Sequence, residues 1–222
     1  MKALIVSAAL ALLVCNGAQA GDAAAGKAKS AVCAACHGPD GNSATPMWPK
    51  LAGQGEAYLV KQLTEFRLGA QTEGKKGRFE PSMAPMAAPL SDADIADLAA
   101  YFASQKVQYG GVKKEFVDAG QKLYRGGDTS RGIPACTACH GPAGRGVPGP
   151  SYPSLGGQHA GYTTTMLKTF KATPAGSMLL RDANYVVMAE VAARLSDEEI
   201  TALATYLQGL HDRADAAVAA KP

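Results

Sequence analysis

The amino-acid sequence predicts an all-α protein made of two tandem domains related by internal duplication. Three observations predict it. Blocks of the chain recur at an almost fixed offset, each copy closes on the same amphipathic helical pattern, and no stretch alternates in the manner of a long strand. Pro46, Trp48, Pro49, Leu51, Gly53, Gln54, Tyr58, Leu63 and Phe66 return at an offset of 104 as Pro150, Tyr152, Pro153, Leu155, Gly157, Gln158, Tyr162, Leu167 and Phe170. Met83, Leu90-Ser91-Asp92, Ile95, Leu98 and Tyr101 return at an offset of 105 as Met188, Leu195-Ser196-Asp197, Ile200, Leu203 and Tyr206. Ala25-Gly26 matches Ala119-Gly120, and the second copy then carries a longer loop from Arg125 to Ile133.

From the N-terminus, Lys2, the apolar run Ala3 to Val14 and the small-x-small site Ala18-Gln19-Ala20 form a secretory leader. Residues 1–20 are expected to be removed, leaving Gly21 first. The run is too short to stay in a bilayer as a span, and Val14 before Cys15 is a poor fit to a lipoprotein signal. The remainder divides into an N-terminal domain at 21–109, a glycine-containing charged linker at 110–114, a C-terminal domain at 115–212 and a tail at 213–222.

In each domain a first helix precedes a cysteine pair. A second runs from about Tyr58 to Leu68 and from about Tyr162 to Lys171. The last begins at a capping box, Ser91 with Asp94 and Ser196 with Glu199. Apolar residues then follow at helical spacing: Ile95, Leu98, Ala99 and Phe102, and Ile200, Leu203, Ala204 and Leu207.

The leader leaves four cysteines, and in an oxidising compartment their simplest use is two disulfides. The histidines argue otherwise. Cys33-Ala34-Ala35-Cys36-His37 and Cys136-Thr137-Ala138-Cys139-His140 are CxxCH motifs. Two thiols at this spacing form thioethers to the vinyl groups of one haem, and the next residue lies under the iron as proximal ligand. A thioredoxin-like pair needs one CxxC in a βαβ context, and structural zinc needs four ligands brought together. Two motifs in an exported chain with no other mature cysteine point to two covalent haems.

The sixth iron ligand is expected from a loop between the second and last helices, where a thioether favours ferrous iron. The candidates are Met47, Met83, Met86, Met166, Met178 and Met188. The repeat selects Met83 and Met188, each seven residues before the Leu-Ser-Asp block, with Met86 and Met178 as respective runners-up. Around the proximal histidines, Pro39 and Pro142 are candidates to offer a carbonyl to the imidazole Nδ1–H, or else only turn the chain. Trp48 and Tyr152 either hydrogen-bond propionates or pack against haem. His159 and His211 lack repeat partners and are expected at the surface.

The tandem CxxCHGP motifs, the segment Lys122-Leu123-Tyr124-Arg125-Gly126-Gly127 ahead of the second, and the Met-x6-Leu-Ser-Asp blocks resemble the dihaem cytochrome c4 family over essentially the whole mature chain. The resemblance implies two class I cytochrome c folds in tandem, His/Met iron in both, and haem propionates facing each other across the domain interface. It also implies a periplasmic respiratory role. The cytochrome bc1 complex would be the donor and a terminal oxidase of the cbb3 type the acceptor, with frequent membrane association.

Charge excludes one class. Nine basic residues meet nine acidic ones over 21–110, and twelve meet ten over 111–222, so no concentrated basic face is available for nucleic acid. Lys75, Lys76 and Arg78 are a small basic cluster, read as a solvated loop rather than a docking site. An electron carrier needs iron closed on both sides, whereas a dihaem peroxidase needs an open position and a distal acid or base. Both halves offer a methionine at the same place, which favours the carrier. An electron-transfer subunit of a periplasmic dehydrogenase would carry the same residues.

Overall fold

The computed structural model describes residues 21–174, 177, 182–212 and 214–215. The expected leader and most of the tail lie outside them. The order is α1 (Ala23–Lys29), α2 (Ala31–His37), α3 (Glu56–Gln71), α4 (Ala84–Ala87) and α5 (Asp92–Ser104), followed by α6 (Lys114–Gly126), a 3-10 turn (Thr129–Arg131), α7 (Thr137–His140), α8 (Ala160–Lys171), α9 (Ala183–Ala193) and α10 (Asp197–Gly209). Among the described residues there is no strand, only two isolated bridges, Asp128 with Ile133 and Val147 with Tyr152.

The closing helices start where the sequence places them. Ser91 accepts from the Asp94 N–H while the Asp94 carboxylate accepts from the Ser91 N–H, and Ser196 and Glu199 repeat the exchange. Each box satisfies two N–H groups that no earlier turn can reach. The helices then bury Ile95, Leu98, Ala99 and Phe102, and Ile200, Leu203, Ala204 and Leu207. Ile95 and Ile200 are almost completely buried, and each contributes about 1.5–3 kcal/mol of hydrophobic stabilisation.

Each closing helix crosses the first helix of its own half, α5 on α1 and α10 on α6. Glycine makes the crossing close. A Cβ on Gly26 would lie 2.0 Å from the Asp97 carbonyl oxygen and 2.8 Å from the Tyr101 Cβ. A Cβ on Gly120 would lie 2.5 Å from both the Ala202 carbonyl oxygen and the Tyr206 Cβ. Asp97 and Ala202, and Tyr101 and Tyr206, are repeat partners, so one backbone approach is built twice.

The halves meet on surfaces that are also repeat partners. Gln54 and Gln158 are buried. The Gln54 side chain accepts from the Ser154 N–H (2.6 Å) and donates to the Ser154 carbonyl (3.0 Å). The Gln158 side chain accepts from the Lys50 N–H (2.9 Å) and donates to the Lys50 carbonyl (3.0 Å). Lys50 and Ser154 are themselves 104 apart, so the contact is self-complementary, as in a two-fold interface. Val107 sits between Gly53 (φ 63°) and Gly157 (φ 80°), one methyl aimed at each. Lys61 and Asp182 add an ion pair between the halves.

Candidate haem-binding sites

On α2, Cys33, Cys36 and His37 are spaced three and four residues apart and so share one helical face. Gly38 (φ 79°) stops that helix, and Gly141 (φ 76°) stops α7 in the same way. Both φ values lie where residues with a Cβ are strained. The chain then turns back: the Gly41 carbonyl accepts the N–H groups of Leu51 and Ala52, and the Gly144 carbonyl those of Leu155 and Gly156. This return loop brings a carbonyl beneath each imidazole. His37 Nδ1 lies 2.8 Å from the Pro49 carbonyl oxygen, and His140 Nδ1 lies 2.9 Å from that of Pro153.

The acceptors are therefore not Pro39 and Pro142. Those prolines stand in the turn leaving the helix, too close in sequence for their carbonyls to come beneath the ring. The Pro39 carbonyl is taken by the Tyr101 hydroxyl (2.7 Å). In the second half Tyr124 holds the Gly141 carbonyl instead (2.6 Å). Pro49 and Pro153 belong to the repeat, but a backbone carbonyl leaves no mark in a sequence beyond that.

Both histidines are buried. Burial lowers their pKa, partly offset by the carbonyl each faces. Each ring is thus neutral, with Nδ1–H donated and the lone pair on Nε2, the tautomer that binds a metal through Nε2. Among the described residues no buried side-chain nitrogen or oxygen lacks a partner. No hydrogen bond among the described residues engages Nε2 of either ring. The four thiols are free, which removes the disulfide reading. Cys33 and Cys136 pack against the cores of their halves, and burial pushes their thiols up, that of Cys136 to about 11. No cluster of three or more His, Cys, Asp or Glu able to hold a metal ion occurs among the described residues.

The candidate methionines sit in different local structure in the two halves. Met83 is half-buried and caps α4, its N–H donating to the Glu80 carboxylate (2.9 Å). Met188 is not in a loop, as expected, but in the middle of α9, packed like Cys136, Leu155 and Phe170 against the core of its half. The apolar run Tyr185 to Ala189 continues a helix that Pro81 and Pro85 keep short in the first half. Met86 is 40 % exposed and Met47 73 %. Met178 lies outside the described residues.

The Tyr152 ring stands 6.3 Å from the His140 ring; the carbonyl of Trp48, its repeat partner, accepts from the Ser43 hydroxyl. His211 is exposed, but His159 is not the surface residue expected. It is half-buried between the domains, with Nε2 2.8 Å from the Ser43 carbonyl and 2.9 Å from its hydroxyl. Arg78 leaves the basic cluster to stack on Phe66 (4.6 Å) and donate to Gln62, while Lys75 stays exposed.

The family model for cytochrome c matches residues 23–106 and again 117–211. Cytochrome c4 of Azotobacter vinelandii is 48 % identical over 194 residues, covering 86 % of this chain and 90 % of that protein. The chain belongs to the dihaem cytochrome c4 family. A crystal structure of reduced recombinant cytochrome c4 from Pseudomonas stutzeri superposes with a TM-score of 0.80 at 48 % identity, covering 86 % of this chain and all of the other. A protein named thiosulfate dehydrogenase electron acceptor, from Stutzerimonas stutzeri strain A1501, is 37 % identical over 178 residues, covering 78 % of this chain and 76 % of that protein.

As a cytochrome c4, the chain carries two covalently attached haem c groups and is an electron carrier rather than an enzyme. The donors fit that group: paired free thiols, an oriented neutral imidazole beside each pair, and apolar surroundings. When bound, the haem supplies iron that changes oxidation state by one electron. Among the described residues no helix is long and apolar enough to cross a membrane.

Proposed function

We propose that this cytochrome c4 relays single electrons in the periplasm, from the cytochrome bc1 complex to a terminal oxidase of the cbb3 type. Removal of residues 1–20 delivers it there, where it holds peripherally to the outer face of the inner membrane. Domains 21–109 and 115–212, joined by 110–114 and followed by the tail 213–222, each hold one haem. Cys33 and Cys36 form thioethers to the first, and Cys136 and Cys139 to the second. His37 with Met83, and His140 with Met188, would be the axial ligands, a donor set that would let each iron change oxidation state by one electron without exchanging a ligand. The observation carrying this reading is the twice-built clamp, a buried neutral imidazole held at Nδ1 beside two free thiols.

Stopped-flow oxidation of the reduced protein by purified oxidase, set against reduction by a bc1 complex, tests the route. Fast turnover with both is expected; failure with both removes it. A second route, electron acceptance from a periplasmic dehydrogenase, is favoured by the likeness to the thiosulfate dehydrogenase electron acceptor. Rapid reduction by such a dehydrogenase, with none by bc1, would replace the first.

Ligation has its own test. Ferrous wild-type protein should bind almost no carbon monoxide at neutral pH, while Met83→Ala opens one haem and Met188→Ala the other, each with a lowered potential. Ready binding by the wild type, or peroxide turnover at enzymic rates, would return the assignment to a peroxidase. Denatured holoprotein should show no alkylatable thiol and the added mass of two haems.

A further inference from the structure

The peptide units that hold the two histidines are themselves held from the other domain. The Pro49 carbonyl accepts from His37 Nδ1, and the N–H of the same peptide unit, that of Lys50, donates to Gln158 Oε1 at 2.9 Å. The Pro153 carbonyl accepts from His140 Nδ1, and the Ser154 N–H donates to Gln54 Oε1 at 2.6 Å. The amide orientations are set by their partners. Gln158 Oε1 also accepts the His159 N–H and Gln54 Oε1 the Gly55 N–H, while each Nε2 faces a carbonyl. Two crossed chains result, from the histidine of one domain through one peptide to the buried glutamine of the other.

We infer that Gln54 and Gln158 are positioning residues that tune the redox centre of the opposite domain, by polarising and fixing the peptide carbonyl on which its proximal histidine leans. Hydrogen bonds in a chain strengthen one another. Accepting the Lys50 N–H makes the Pro49 carbonyl a better acceptor. The His37 ring then donates Nδ1–H more strongly and gives more electron density to the metal, which favours the ferric state. The same reasoning runs from Gln54 to His140. Each glutamine thus acts chiefly on the haem its own domain does not hold, and any shift between domains reaches both histidines together. The inference rests on the axial roles proposed for His37 and His140.

The test uses the full-length holoprotein with both haem potentials measured by spectroelectrochemistry, each haem assigned through hyperfine-shifted NMR signals of its histidine ring. Those signals report ligation separately: if the His37 and His140 rings lack them in the oxidised protein, the axial assignment has failed, and with it this inference. Gln158→Met keeps length but removes both bonds, and should raise the potential of the His37 haem. Gln158→Glu keeps an acceptor and adds charge, and should lower that same haem. Gln54→Met and Gln54→Glu should do likewise to the His140 haem. In the reduced protein, His37 Nδ1–H exchange with solvent should quicken in Gln158→Met while that of His140 stays as in wild type. If Gln158→Met does not hold the interface, the glutamate variant and its exchange pattern decide. Unchanged potentials, shifts confined to the glutamine's own domain, equal shifts in both, or shifts of one sign for both substitutions would overturn the inference.

Discussion

The two halves descend from one pattern but reach their clamps by different paths. In the first, α1 ends at Lys29, and α2 runs seven residues to His37. In the second, α6 runs thirteen residues, a loop with a 3-10 turn follows, and α7 has only four residues before it ends on His140. Yet the imidazole-to-carbonyl distances are 2.8 and 2.9 Å. The clamp is therefore set after the histidine, by the glycine stop and the return loop, so the approach to it is free to vary. The methionine side varies too, from the cap of a short helix to the middle of a long one.

The largest expected effect falls where the halves agree. Gly26→Leu or Gly120→Leu would drive a side chain into the backbone of the closing helix, which has nowhere to move because each clash involves a carbonyl oxygen at 2.0 or 2.5 Å. A loss of more than about 4 kcal/mol is expected at either site. Urea unfolding of the holoprotein should show one half melting well before the other, the half that carries the substitution. Equal destabilisation of both halves would mean that they fold as one unit.

Much of this was legible, for identifiable reasons. The capping boxes, the closing helices and the absence of strands among the described residues rest on local patterns that tertiary contacts do not reverse. The α3 and α8 starts at Glu56 and Ala160 come two residues before the sequence placed them, because Gly55 and His159 cap without a side-chain bond and give no signal. The Ala-Gly match at 25–26 and 119–120 was visible as a repeat, but the close crossing it allows depends on a partner helix some seventy residues or more away. The carbonyl beneath each histidine is hidden from the sequence for the same kind of reason. Its position follows from a loop closed by backbone bonds at Gly41 and Gly144, which composition does not reveal. Nothing near His159 in sequence marks it as half-buried, because its contact, Ser43, belongs to the other half.

A smaller effect lies where the repeat misleads. Tyr206 is the repeat partner of Tyr101, yet the hydroxyl that holds the turn after the second CxxCH belongs to Tyr124, from a different helix. The Tyr206 hydroxyl instead accepts from Arg125 Nε, at a long 3.5 Å. Tyr101→Phe and Tyr124→Phe should each cost about 1 kcal/mol, rising toward ~3 where the abandoned carbonyl stays dry. Tyr124, the more buried of the two, should cost more. Tyr206→Phe should be nearly neutral in denaturant midpoint. A cost for Tyr206→Phe equal to that of Tyr101→Phe would show that the halves are closer to true copies than their hydrogen bonds suggest.

The smallest effect is a pH dependence that only one half possesses. Gly55 and His159 are repeat partners at the starts of α3 and α8, with nearly the same backbone, φ −57° and −53°. The geometry does not demand a side chain at either place, so the imidazole is an addition that reaches Ser43 across the interface. Burial, followed by the nearby Lys50 charge, lowers the His159 pKa from the ordinary 6.5, against the opposing pull of the Ser43 carbonyl. A group whose folded pKa is depressed contributes stability that is present above its unfolded value and lost as pH falls through the folded one. The wild-type protein should therefore lose more stability between pH 7.5 and 5 than His159→Gln, which keeps a donor for Ser43 but cannot charge. The difference should stay below about 1.4 kcal/mol, the worth of one pKa unit, because the ring is only partly buried and solvent screens it. Parallel curves of denaturant midpoint against pH for the two proteins would show that the histidine stays uncharged across the range and that the asymmetry between the halves carries no acid response.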